Sequence, residues 1–298
     1  MLTALISVGQ EKKLYRDMIY PSANIQTGLN YAADTVNSNR KSDYEFDLYS
    51  PQGGAQKDRP LIIWLHGGGF VFGSEKDGNI RLWCETFARR GYVCAAINYR
   101  LGKKTSLLNL GKLAGNAYPA VLDARQAVHY FRAHAKTYGI DPRRIILAGN
   151  SAGAMIALQA TFSYNRELAD SLRISNPAPY GNINGGPEQI LTVINFWGGI
   201  YNINWLANAP AAVVSVYGSR DRIVRPGFHN GTYGGSAITT KMAALHRLAE
   251  SKVFEGYGHE LYKHFNPLPL HPGKAGIRKR WLEAGQFAAS FLAERVFH

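Results

Sequence analysis

A mostly parallel, doubly wound α/β sheet is the fold class predicted by this 298-residue sequence. Near-continuous apolar runs such as Leu61-Ile62-Ile63-Trp64-Leu65 are what a strand covered on both faces requires. Such runs alternate with amphipathic helical stretches from about Tyr44 to Arg295, the pattern of strand–helix–strand units. The third observation is chemical. The run Arg144-Ile145-Ile146-Leu147-Ala148 ends in Gly149-Asn150-Ser151-Ala152-Gly153 and opens into a helical pattern, which sets a serine on a strained corner with its hydroxyl exposed.

Taken in order, strands are predicted over Phe46–Tyr49, Leu61–Leu65, Val93–Asn98, Ile145–Ala148, Ile190–Phe196, Ala212–Tyr217 and Lys252–Phe254. Helices are predicted over Asn79–Arg90, Tyr118–Tyr138, Ala152–Ser163, Ala237–Ala249 and Lys274–Arg295. Neither a Ser/Gly-rich linker nor a charge block divides the chain, so residues 1–298 are expected to form a single domain. In such a sheet the chemistry gathers at the carboxyl ends of the strands, and every candidate below falls there.

Composition narrows the class further. With 46% hydrophobic and 12% aromatic residues, the chain buries a large core and is too apolar to be disordered. The net charge of +13 comes from 34 basic and 21 acidic residues spread over both halves, without the stripe or tail that marks a nucleic-acid binder. The densest basic cluster, Lys274 with Arg278-Lys279-Arg280, is predicted to be the solvated face of the last helix. Cys84 and Cys94 look like small buried residues, although a bridge between them is open in an oxidising compartment. Met1–Gly9 has two readings, the tail of a signal peptide ending near Gly9 or an ordinary first strand, so a secreted or periplasmic location stands beside a cytoplasmic one. No stretch is long enough to span a bilayer.

His66-Gly67-Gly68-Gly69-Phe70 follows the Leu61–Leu65 strand. Three successive glycines let the backbone fold close to a substrate and aim consecutive N–H groups at one point, as a developing oxyanion requires. Gly68 and Gly69 are the expected donors, joined by Ala152 just after the serine. The loop lacks the Lys-Ser/Thr ending of a phosphate-binding loop, and His66 is expected to be structural.

Together with Asn98-Tyr99-Arg100-Leu101 and Tyr138-Gly139-Ile140-Asp141-Pro142-Arg143-Arg144-Ile145, these motifs make the chain resemble the α/β-hydrolase family over about residues 44–295. Within it, the resemblance is to carboxylesterases of the hormone-sensitive-lipase-like and bifunctional feruloyl and acetylxylan esterase type. It implies a sheet of about eight strands with helices on both faces, and the order serine, acid, histidine, each on a loop after a strand. Asp221, in Tyr217-Gly218-Ser219-Arg220-Asp221-Arg222-Ile223-Val224, matches the family's acid in place and spacing. Asp123 and Asp141 are expected to be structural. His259, leaving a strand through Gly256-Tyr257-Gly258, is the expected base, with His264 and His271 as runners-up.

The resemblance therefore implies a serine carboxylic-ester hydrolase in which His259 takes the proton of Ser151, Asp221 orients the imidazole and an acyl-enzyme forms. Neither metal nor cofactor enters this chemistry. Phe70, Phe72, Trp197, Tyr201, Trp205, Phe228, Tyr233 and Tyr257 lie on or near strand-end loops; Phe70, Trp197 and Tyr257 are the expected substrate contacts. Residues 165–189, where related enzymes insert a cap, are too short and too rich in Gly and Pro for a helical lid. A minimal cap and an open cleft follow, suited to short acyl groups or to acetyl and feruloyl esters on a polysaccharide. Arg220, Arg222 and Arg225 flank the acid; a solvated loop with one arginine paired to a carboxylate is favoured over a site for anionic substrates. The rival functions are a serine peptidase or amidase, which usually needs an additional large gating domain, and a binding protein that has lost catalysis. Such binding proteins typically lack one of the three catalytic residues, and all three are present here.

Overall fold

The computed structural model describes residues 14–32, 41–54, 57–108, 110–177, 184–263 and 274–297. Eight strands form the main sheet: β1 (Ala23–Asn30), β2 (Glu45–Pro51), β3 (Arg59–Leu65), β4 (Val93–Ile97), β5 (Ile140–Asn150), β6 (Thr192–Phe196), β8 (Ala212–Gly218) and β11 (Ala249–Phe254), in the order β1-β2-β4-β3-β5-β6-β8-β11. The pairs β1–β2 and β2–β4 are antiparallel, and every later pair is parallel. A second, three-stranded sheet joins β7 (Gly199–Ile200), β9 (Phe228–His229) and β10 (Thr232–Gly234).

Alternation along the central strands divides the core into two layers. Leu61, Ile63 and Leu65 of β3 face helices α2 (Ala117–Ala133) and α3 (Ala152–Phe162), while Ile62 and Trp64 face α1 (Gly78–Ala88) and α5 (Lys274–Phe291); α4 spans Gly235–Ala244. Side chains of β3 are therefore buried whichever way they point, which is why its sequence is apolar from Pro60 to Leu65.

Several boundaries differ from the sequence expectation. β1 went unrecognised because it is an edge strand whose residues are mostly exposed, so ANIQTGLN carries no apolar alternation; its register shifts between Gln26 and Leu29. The helix expected over Tyr118–Tyr138 breaks at His134, and a single turn, Ala135–Tyr138, ends at the left-handed Gly139. The helix expected to reach Ala249 stops at Ala244, because His246 is left-handed (φ 54°) and Ala249 already pairs with Val213 in the sheet. Cys84 and Cys94 are free, buried thiols rather than a disulfide. Among the described residues no helix is long and apolar enough to cross a membrane. Met1–Gly9, His264 and His271 lie outside the described residues.

The cap region is partly helical. Asn165–Ser171 forms a short helix whose Leu168 and Ala169 are buried in the core. The Arg125 guanidinium holds its start by donating to the Asn165 side chain and the Gln159 and Ser163 carbonyls. This helix is docked on the body of the domain and contributes nothing to the cavity described next.

Candidate active site

The strand order reverses at β3: the chain steps outward from β3 to β4, then returns to the other side of β3 as β5. The crevice beyond the carboxyl ends of strands at such a switch point is where open α/β sheets bind ligands. Here it receives the glycine loop after β3 and Ser151 after β5.

Ser151 has φ 51° and ψ −119°, a conformation that costs a residue with a Cβ on the order of 1–3 kcal/mol. The corner is held by the Ser151 amide, which donates to the Phe196 carbonyl (2.9 Å), and by close contact on both sides. A Cβ on Gly149 would lie 2.4 Å from the Gly153 carbonyl carbon, and one on Gly153 would lie 2.0 Å from the Leu65 carbonyl oxygen. Glycine is therefore required at both positions by close approach.

Asp221 follows β8, and His259 follows β11. The Ser151 hydroxyl is 2.8 Å from His259 Nε2, and His259 Nδ1 is 2.7 Å from Asp221 Oδ2. The other carboxylate oxygen of Asp221 accepts from the backbone amides of Ile223 (2.8 Å) and Val224 (3.0 Å), which fixes its plane. Both Asp221 and His259 are buried. With Nδ1–H donated to the carboxylate, Nε2 presents its lone pair to the serine, the arrangement needed to accept the hydroxyl proton.

Three positive-φ residues, Gly68, Gly69 and Phe70, turn the loop after β3. The Gly68 carbonyl accepts from the amides of Val71 (3.2 Å) and Phe72 (3.0 Å), closing the turn. Gly69 and Ala152 line the cavity beside Ser151, and a Cβ on Gly68 would lie 2.2 Å from the Phe72 carbonyl oxygen. Beneath the loop, His66 stacks on Tyr99 with 4.3 Å between ring centroids, and its Nδ1–H donates to the Gly67 carbonyl (2.8 Å). The Tyr99 hydroxyl donates to the His66 carbonyl (2.8 Å). His66 is structural, as the sequence suggested, and burial lowers its imidazole pKa to about 4. An unfolded chain binds that proton near pH 6.5, so stability is expected to be full above pH 6.5 and lost as the pH falls toward 4, by about 3 kcal/mol in all. Urea unfolding midpoints at pH 7 and pH 4.5 should show this loss in the native protein and a flatter dependence in His66→Gln; equal slopes would assign the acid sensitivity elsewhere.

The other carboxylates weighed in the sequence are structural. Asp123 is fully buried and accepts from the Arg100 amide (2.8 Å) and guanidinium, and Asp141 is bridged by Arg143 and Arg144.

The cavity at Ser151 has a volume of about 380 Å³. Phe70, Leu113, Met155 and Tyr201 contribute apolar lining, and Arg222–Arg225, His229 and Thr232 also line the cavity. Two other depressions, of about 450 and 600 Å³, lie around Ser50, Tyr138 and Gly139 at the amino ends of β4 and β5, away from every candidate group. Of the three expected substrate contacts, only Phe70 reaches the cavity. Trp197 is buried against Trp83 and Phe196, because its backbone turns left-handed (φ 43°) and returns the ring to the core. Tyr257 lies under the Arg280 guanidinium, 4.5 Å from its ring centroid.

That contact corrects the reading of the basic cluster and reveals residues that sequence reasoning missed. Arg278 and Lys279 are exposed, but Arg280 Nε donates to the Leu261 carbonyl (2.8 Å) and Trp281 Nε1 to the Glu260 carbonyl (3.0 Å). Glu260 and Leu261, immediately after His259, are both left-handed (φ 55° and 63°). One turn of α5 thus clamps the strained segment that carries the imidazole. Positive φ at non-glycine residues has no sequence signature, so nothing in the chain announced this clamp.

Residues 46–218 match the BD-FAE family over more than half of the chain. The chain belongs to that family. The match ends three residues before Asp221, so Asp221 and His259 of this BD-FAE member both lie beyond it. Among curated proteins, the phenmedipham hydrolase of Pseudarthrobacter oxydans is 38% identical over 128 residues, 41% of this chain and 24% of its own. The human bile salt-activated lipase is 35% identical over 132 residues, 41% of this chain and 17% of its own. The matched stretch is thus a quarter or less of these relatives' length. Esterase 2 of Thermogutta terrifontis superposes over far more. Its propionate-bound form covers 92% of this chain and 94% of its own with a TM-score of 0.58 at 20% identity, and its paraoxon-phosphorylated form gives 0.57 at 20%. These structures share the α/β-hydrolase fold with the BD-FAE chain.

Proposed function

We propose that the protein is a serine carboxylic-ester hydrolase acting on short-chain or polysaccharide-linked esters, through an acyl-enzyme on Ser151. The observation that carries this reading is the unbroken Asp221–His259–Ser151 hydrogen-bond relay, with distances of 2.7 and 2.8 Å, opening into a cavity whose wall includes Gly69 and Ala152. In the first half-reaction Ser151 Oγ attacks the ester carbonyl while its proton passes to His259 Nε2. The new oxyanion is held by the Gly68, Gly69 and Ala152 amides, and the imidazolium is stabilised by Asp221. Collapse breaks the C–O bond to the alcohol, which leaves with the proton from His259. Water, activated by the same imidazole, then attacks the acyl carbonyl, and release of the acid restores Ser151.

A cavity of about 380 Å³ that must also admit part of the alcohol favours small acyl groups. The propionate- and butyrate-bound forms of the Thermogutta esterase and the membership of the BD-FAE family support the same direction. Turnover of p-nitrophenyl esters is expected to be highest for acetyl to butyryl groups and at least tenfold lower, in kcat/KM, for decanoyl. Acetylated xylan, methyl ferulate and a dipeptide amide belong in the same assay. Preference for the decanoyl ester, or hydrolysis of the amide in place of the esters, would overturn the reading.

A further inference from the structure

Beside the Ser151 cavity lies a second depression, lined by Ser219, Arg220, Asp221, Arg222 and the Arg225–Phe228 segment, and it shares Arg222 and Arg225 with the first. The two depressions therefore adjoin at Arg222 and Arg225. Asp221 forms no ion pair with these arginines; its oxygens accept from His259 and from the Ile223 and Val224 amides. Among the described residues, none of Arg220, Arg222 and Arg225 forms a salt bridge, in place of the single pairing that the sequence favoured. At the far end Phe228 is 61% exposed, its ring seated on Tyr233 with centroids 4.5 Å apart.

The segment bearing these groups is rigid. Gly234 N–H donates to Gly227 O (2.9 Å), Ser236 N–H to Pro226 O (2.9 Å) and Arg220 N–H to Tyr257 O (2.8 Å). Gly234 approaches so closely that a Cβ there would lie 2.0 Å from the Arg225 carbonyl oxygen. Free guanidiniums on a fixed backbone suit a planar carboxylate, and an exposed aromatic face suits the axial C–H groups of a pyranose.

We propose that this second depression is a subsite for a uronate-bearing oligosaccharide, binding the carboxylated sugar next to the esterified unit at Ser151. The proposal rests on the reading of Ser151 as the nucleophile of an ester hydrolase, and it makes the preferred substrate an O-acylated acidic polysaccharide. The arginines take the uronate carboxylate, and Phe228 stacks on the sugar ring.

Two measurements test it. In the Ser151→Ala protein, calorimetry should show an unesterified oligogalacturonate binding at least tenfold tighter than a neutral xylo-oligosaccharide of equal length, with affinity falling as salt is raised. Adding Arg222→Gln and Arg225→Gln should remove about tenfold of that affinity, and adding Phe228→Ala should weaken both sugars. In the native protein, kcat/KM for acetate release should favour acetylated oligogalacturonate over acetylated xylo-oligosaccharide through KM. Equal affinity for the two sugars, or a preference untouched by the arginine substitutions, would overturn the subsite. Tight turnover of p-nitrophenyl hemisuccinate without oligogalacturonate binding would place the carboxylate in the acyl group and overturn it likewise. Ester turnover by Ser151→Ala equal to that of the native protein would instead defeat the nucleophile reading, whatever the sugars do.

Discussion

Ser151→Ala is expected to fold like the native protein and to lose ester turnover by roughly 10⁴-fold or more, because it removes the hydroxyl held 2.8 Å from His259 Nε2 that forms the acyl-enzyme. Alanine at this corner keeps the Cβ and hence the strain of φ 51°. Glycine does not. Ser151→Gly should be just as inactive yet more stable than Ser151→Ala, by about 1 kcal/mol, since only the side chain opposes the left-handed backbone. Initial rates on p-nitrophenyl acetate and thermal melts of the two variants measure both effects. Native-like turnover in either would remove Ser151 from the chemistry, and a less stable Ser151→Gly would mean that the corner is not strained.

The largest effect on stability is expected at Gly153. A methyl group there would lie 2.0 Å from the Leu65 carbonyl oxygen and 2.5 Å from that of His66, and both carbonyls belong to the end of β3 at the centre of the sheet. Neither can retreat without pulling β3 from its neighbours. Gly153→Ala should therefore cost more than about 4 kcal/mol or fail to yield folded protein. Gly69 provides the contrast: a Cβ there meets nothing within 4 Å, and only its φ of +61° opposes a side chain. Gly69→Ala should cost about 1 kcal/mol. Urea unfolding of the two variants separates them, and similar destabilisation by both would show that close packing at Gly153 is relieved by a shift of α3.

The fold was legible where strands are buried on both faces, since β3, β4, β6, β8 and the Ile145–Ala148 part of β5 are mostly apolar. The relay was legible too, because Ser151 and Asp221 leave such strands and His259 follows β11, in the order the family resemblance demands. What escaped depends on packing between distant segments. β1 is exposed and polar, and the strands of the small sheet are two or three residues long, too short to show a period. Yet that small sheet supplies His229 and Thr232 to the cavity wall. Aromatics near strand ends were read as substrate contacts, but whether a ring faces the cavity or the core is set by backbone turns such as that at Trp197, which composition does not encode. The cap region's Asn165–Ser171 helix was missed for a related reason: its buried face is only Leu168 and Ala169.

The clamp of Arg280 and Trp281 on the carbonyls behind His259 also bears on how activity arises during synthesis. A ribosome delivers the serine, the glycine loop and the carboxylate first, and the histidine emerges some twenty residues ahead of the helix that steadies it. Until that helix settles against Trp83, Glu260 and Leu261 lack the two hydrogen bonds that hold their carbonyls. The geometry that places the imidazole is thus complete only once the last described helix has docked.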